Sequence, residues 1–131
     1  MSKERRIYVN NDLDVVVARM QARELAKQIG FGTADQARIS LAASELARVL
    51  SWNMNQSGEM VLSAASKNGQ TGIQIDCLVS NETAPLNGDS GQEMTGGRFQ
   101  SIAGARKLVD ESIVEAQGTK YTRVALFKWL K

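Results

Sequence analysis

The sequence predicts a two-layer α+β sandwich, with three helices on one face of a mixed, mainly antiparallel sheet. Three observations lead there. Helical stripes and strand-like runs segregate along the chain, in the order strand, helix, helix, hairpin, long loop, helix, hairpin. An Asn-Gly pair, Asn68-Gly69, sits between two alternating runs, as in a tight hairpin. The 131 residues, 43% of them hydrophobic, suffice for one core but not two, so residues 1–131 are read as a single domain.

The elements come in order. A short strand is expected over Arg5 to Asn10, then a helix over Asp12 to Ile29, where Ala18, Ala22, Leu25 and Ile29 keep the spacing of one buried stripe. Gly30 suits the position just past a helix end. Thr33 with Gln36 three residues on reads as a capping box opening a second helix, which runs to about Asn55. Its core face carries Ile39, Ala43, Leu46 and Leu50, and Glu45 and Val49 border that stripe one turn apart. Strands are expected over Glu59–Ala65 and Gly72–Val79, the second alternating through Ile73, Ile75, Cys77 and Val79.

Periodicity then lapses. From Ser80 to about Gly97 the chain holds its only proline and four glycines, and the stretch reads as the most mobile part of the molecule. A third helix is expected over Ser101–Glu111, with Ile102, Ala105, Leu108 and Val109 inward. A hairpin closes the chain through a Gln117-Gly118 turn. Val124-Ala125-Leu126-Phe127 breaks alternation, as a central strand covered on both faces would.

Composition excludes several chemistries. With no histidine, neither a Ser-His-Asp relay nor a histidine metal site can be built. The single cysteine, Cys77, permits no internal disulfide and lies mid-strand as a small buried hydrophobe. A net charge of +2, with no basic stripe interleaved with aromatics, argues against nucleic acid as partner. No run approaches the about 18 apolar residues of a membrane span, and the chain reads as cytoplasmic.

One run carries more than architecture. Ser44-Glu45-Leu46-Ala47-Arg48-Val49 resembles the first nucleotide motif of the RsbT-type switch kinases, small members of the GHKL (Bergerat) ATPase superfamily. Three further stretches support the likeness: Ala26 to Ile39, the helix Gly104-Ala105-Arg106-Lys107-Leu108-Val109-Asp110-Glu111, and the ending Gly118-Thr119 then Phe127-Lys128-Trp129-Leu130-Lys131. The resemblance implies a GHKL-type sandwich and a serine/threonine kinase in which Glu45 polarises water or a substrate hydroxyl. It also implies an asparagine four residues later to help hold Mg²⁺, which needs hard oxygen ligands. Here that residue is Val49, so no metal ligand is expected.

Two further motifs of the family are eroded. Its Asp-x-Gly-x-Gly, which reads adenine, falls on Val79-Ser80-Asn81-Glu82-Thr83, without the aspartate or the glycines. Its Gly-x-Gly-x-Gly phosphate lid falls on Gly97-Arg98-Phe99-Gln100-Ser101, with one glycine left. The residual nucleotide site would comprise Arg48, Gly96, Gly97, Arg98, Gly104 and Thr119, with Glu45 as retained acid. Each also has a plainer reading: a solvated Glu45, Arg48 paired to it, loop glycines, close packing at Gly104 and a hairpin turn at Thr119.

The resemblance implies two functions. In one, a degenerate switch protein acts by binding a STAS-domain scaffold or antagonist and a metal-dependent serine/threonine phosphatase, with no cofactor. In the other, a live kinase uses ATP and Mg²⁺ to phosphorylate a STAS-domain protein. A third reading is an orphan domain unrelated to stress signalling. Arg48 and Trp52, one turn apart on the second helix, are the expected partner-binding pair, the competing role of Trp52 being to pack under the lid.

Overall fold

The computed structural model describes residues 4–52, 58–81 and 100–131. Strands β1 (Arg5–Val9), β2 (Gly58–Lys67), β3 (Gln70–Ser80), β4 (Glu111–Gln117) and β5 (Tyr121–Trp129) form one sheet in the order β1-β2-β3-β5-β4. Helices α1 (Asp12–Ile29), α2 (Thr33–Leu50) and α3 (100–107) lie on one face. All four strand pairings are antiparallel, so the expected mixed sheet resolves to a purely antiparallel one.

The core lies between the two layers. Ile7, Val9, Met60, Leu62, Ile73, Ile75, Cys77, Val79, Val124 and Leu126 point from alternate strand positions into the helices and are buried. Opposite them stand Ala18, Ala22 and Leu25 of α1, with Ile39, Ala43, Leu46 and Leu50 of α2. These are the stripes that the helical spacing marks out. Alanines at Ala18, Ala22, Ala26, Ala43 and Ala47 let the two helices pack closely while remaining fully buried.

Local chemistry sets the element ends. Asn11 caps α1, its side chain accepting from the Asp14 N–H at 3.1 Å. Gly30 closes the helix, donating to the Ala26 and Lys27 carbonyls. The capping box expected at Thr33 is not formed. Gly32 is the N-cap, and the Gln36 amide instead donates to the Phe31 carbonyl at 2.8 Å, because the tight Phe31-Gly32 link brings that carbonyl within its reach. Asn68 and Gly69 both take positive φ, 52° and 81°, as the β2–β3 hairpin requires.

Two helices end earlier than the periodicity suggests. Helix α2 stops at Leu50 rather than Asn55, and the Ser51 hydroxyl donates to the Arg48 carbonyl at 2.6 Å in the last turn. Helix α3 stops at 107 rather than 111 because the next residues are drawn into the sheet. The Asp110 N–H donates to the Phe127 carbonyl at 2.9 Å, the Asp110 carboxylate accepts from the Trp129 N–H at 2.8 Å, and Glu111 enters β4 opposite Phe127.

Strand β5 is an interior strand, as its unbroken apolar run suggests, but among the described residues no second layer covers its outer face. Ala125 is buried there because it is small and sits between its cross-strand neighbours Asp76 and Ile113. The stretch expected to be most mobile, Ser80 to Gly97, lies outside the described residues beyond Asn81.

Candidate functional site

Glu45 and Val49 share one side of α2 but meet different surroundings. The Glu45 side chain is 21% exposed, at the rim of the helix layer. Val49 is 1% exposed and belongs to the core cluster with Leu46 and Leu50. Both border the core stripe, but the roughly 40° between i and i+4 carries position 49 across the edge of the core. A hydrocarbon side chain enclosed this way offers no oxygen to a cation, so the fit with Mg²⁺ is poor.

The rest of α2 is self-satisfied. Arg48 pairs with Glu45 at 3.3 Å across a single turn, the plainer of the readings for both residues. Ser44 is buried and its hydroxyl donates to the Leu41 carbonyl at 2.8 Å. Trp52, just past the helix end, is half-buried and packs against the core. Its partner-surface role thus competes with a visible packing role.

The described residues of the expected nucleotide site lie on separate elements. Gly104 lies on α3, and a Cβ built there would meet nothing within 4 Å, so close packing does not explain this glycine. Thr119 is exposed in the β4–β5 turn. Gly96, Gly97 and Arg98, together with Phe99, fall outside the described residues.

Asn81, at the end of β3, is the residue the sequence reading undervalued. Its amide donates to the Thr119 carbonyl at 3.0 Å, and its side-chain oxygen accepts from the Thr122 hydroxyl at 2.7 Å. Its backbone N–H reaches the Lys120 carbonyl at 2.7 Å. Where the family resemblance expects the first glycine of its adenine motif, two residues after Val79 in the place of the acid, an amide staples the inner strand to the final hairpin. Beside it lies a recess of about 450 Å³ between α3 and the sheet, lined by Val79, Asn81, Ile102, Arg106, Val114 and Thr122 among others. No residue of α2 lines it, so Glu45 stands apart.

Two charge clusters were also missed. On the open sheet face Arg123 grips Asp76 through Nη2 at 2.7 Å and Nε at 3.2 Å, and Glu115 through Nη1 at 3.3 Å. The bond to Asp76 and the neighbouring negative charges hold the guanidinium more firmly protonated than usual, against a small opposing effect of burial. At the corner after α3, buried Lys128 stands 3.4 Å from Asp110 and 3.7 Å from Asp35 of α2. Burial tends to raise the Asp110 pKa, but the Trp129 N–H and Lys128 outweigh it and hold the carboxyl below its ordinary value. Cys77 is buried, and loss of water with the nearby Asp76 charge pushes its thiol well above the ordinary range, leaving it an inert core residue. The alternating polar positions of β3 and β5 hinted at the first cluster; only the tertiary fold brings the second together.

The class is thereby defined as a two-layer α+β protein with an acid at the rim of its second helix and a valine one turn on. Along its full length the chain is 29% identical to the serine/threonine-protein kinase RsbT of Bacillus subtilis (strain 168), over 137 aligned positions spanning all of both chains. The chain thus resembles RsbT along its whole length. No protein-family model matches it. Among the described residues no helix is long and apolar enough to cross a membrane.

Proposed function

We propose that this chain is a cytoplasmic partner-switching regulator of a bacterial stress or sigma-factor pathway. It would act by binding a STAS-domain scaffold or antagonist and a metal-dependent serine/threonine phosphatase, with ATP binding weakened or lost. One observation carries the reading: position 49, where the resemblance calls for an amide oxygen to hold Mg²⁺, is a valine enclosed in the core. The Asn81 staple at the end of β3 supports it, because a hydrogen-bonded side chain stands where the resemblance expects a glycine that lets the backbone approach the base.

Docking needs none of the missing groups. Phosphoryl transfer relies on positioning and on neutralising charge around the phosphates, so it suffers most from these losses. The alternative is an active kinase phosphorylating a STAS-domain protein. Glu45 favours it, since a carboxylate at the helix rim remains open to solvent and held by Arg48.

A STAS-domain protein from the same genome decides between them. Its affinity for this chain should be the same with and without Mg-ATP, and mass spectrometry should find the partner unmodified. Phosphoserine or phosphothreonine on the partner, lost with Glu45→Gln, would establish the kinase instead.

A further inference from the structure

Helix α1 carries two apolar faces where a surface helix ordinarily carries one. Ala18, Ala22, Leu25 and Ala26 are buried against the rest of the molecule. On the opposite side Leu13, Val16, Val17 and Met20 form a second stripe, with Leu13 72% and Met20 62% exposed. Tyr8 of edge strand β1, also exposed, extends the patch across the groove it lines with Val17. Four large apolar side chains in one exposed row on a chain of this size mark a contact surface.

The charges beside the stripe indicate what covers it. Asp12 lies at one end, and Arg19 and Arg23 lie toward the other, all on the same flank at about 100° per residue. All three are exposed, and none makes an ion pair among the described residues. A two-fold axis through the stripe midpoint, between Val16 and Val17, runs a second α1 antiparallel to the first. Leu13 of each copy then faces Met20 of the other, and Val16 faces Val17. The same operation keeps each charged flank on its own side. Asp12 therefore falls between the other copy's Arg19 and Arg23, about 3 Å along the axis from each at roughly 1.5 Å rise per residue. The surface is complementary to itself in both apolar and charged parts.

We propose that α1 is the contact helix of a symmetric homodimer, built from Leu13, Val16, Val17 and Met20 and registered by Asp12 against Arg19 and Arg23 of the second copy. One helix pair with its flanking strands buries less than the ~1,200 Å² of a standard interface. The association is accordingly weak and concentration-dependent.

Sedimentation velocity over a concentration series tests this on the full chain. The wild type should shift from monomer toward dimer as concentration rises. Met20→Glu should weaken association by about tenfold or more, with circular dichroism unchanged because the residue is exposed. Asp12→Arg should weaken it as well, and adding Arg19→Asp and Arg23→Asp to that variant should restore it. The restored pairing distinguishes a specific antiparallel contact from general loss of solubility. A wild type that stays monomeric throughout would overturn the proposal, as would a dimer indifferent to Met20→Glu and Asp12→Arg. Should the stripe variants lose only the binding of a different protein, the patch belongs to that partner and the homodimer is refuted.

Discussion

At the scale of single residues, Val49 and Trp52 separate chemistry from packing on α2. Val49 is walled in by the core, so Val49→Asn places an amide where no partner awaits it. The substitution should cost about 2 kcal/mol in urea unfolding and confer no ATP affinity, since burial of an unpaired polar group is penalised. A stable Val49→Asn protein that binds Mg-ATP would show that this position opens onto a pocket after all. Arg48 and Trp52 should behave differently from each other. Arg48→Ala removes a solvent-exposed pair with Glu45 and should stay within about 0.5 kcal/mol of wild type. Trp52→Ala withdraws a ring that leans on the core and should cost about 2 kcal/mol. A Trp52→Ala protein of unchanged stability that fails to bind its partner would return the residue wholly to the interface.

At the scale of elements, the corner joining α3, β4 and β5 is held by Asp110. Its carboxylate accepts from the Trp129 N–H at 2.8 Å and faces Lys128, and the net effect lowers its pKa. A depressed carboxyl contributes stability that is present above the ordinary pKa and lost as pH falls through the lower folded value. The melting temperature of the wild type should therefore drop on acidification below about pH 4, the ordinary carboxylate value. Asp110→Asn should melt lower at neutral pH and fall less steeply with acid, so that the two curves converge. Parallel curves would mean that Asp110 does not couple this corner to pH.

The same corner shows what the sequence did and did not disclose. The stripe of Ile102, Ala105, Leu108 and Val109 is helical in spacing, and its first two members lie on the described part of α3, 100–107. Its end is set by Phe127 and Trp129, some twenty residues away, whose backbone groups take hold of Asp110. Periodicity reports a buried face but not the point at which a distant strand outcompetes the next helical turn. The Asn68-Gly69 hairpin was legible in full because its geometry is local. The candidate site was legible only as losses. Absent residue types such as the oxygen at position 49 can be read from sequence, whereas the commitment of Asn81 to Thr119 and Thr122 depends on tertiary contact.

At the scale of the molecule, one antiparallel sheet with three helices on a single face leaves the other face open among the described residues, and Arg123, Asp76 and Glu115 pair their charges there. Arg123 is thus committed within the chain. Helix α1 carries a row of four exposed apolar side chains, Leu13, Val16, Val17 and Met20. The proposed function has this body, with a core valine where the resemblance expects the metal-binding amide, exchange protein partners rather than turn over nucleotide. Calorimetric titration of the purified chain with ATP in the presence of Mg²⁺ measures that difference most directly. No saturable heat should be seen at nucleotide concentrations up to about the millimolar range, where binding free energies are only about −4 kcal/mol. A saturable isotherm with micromolar affinity would contradict the binding-only reading and establish a working nucleotide site.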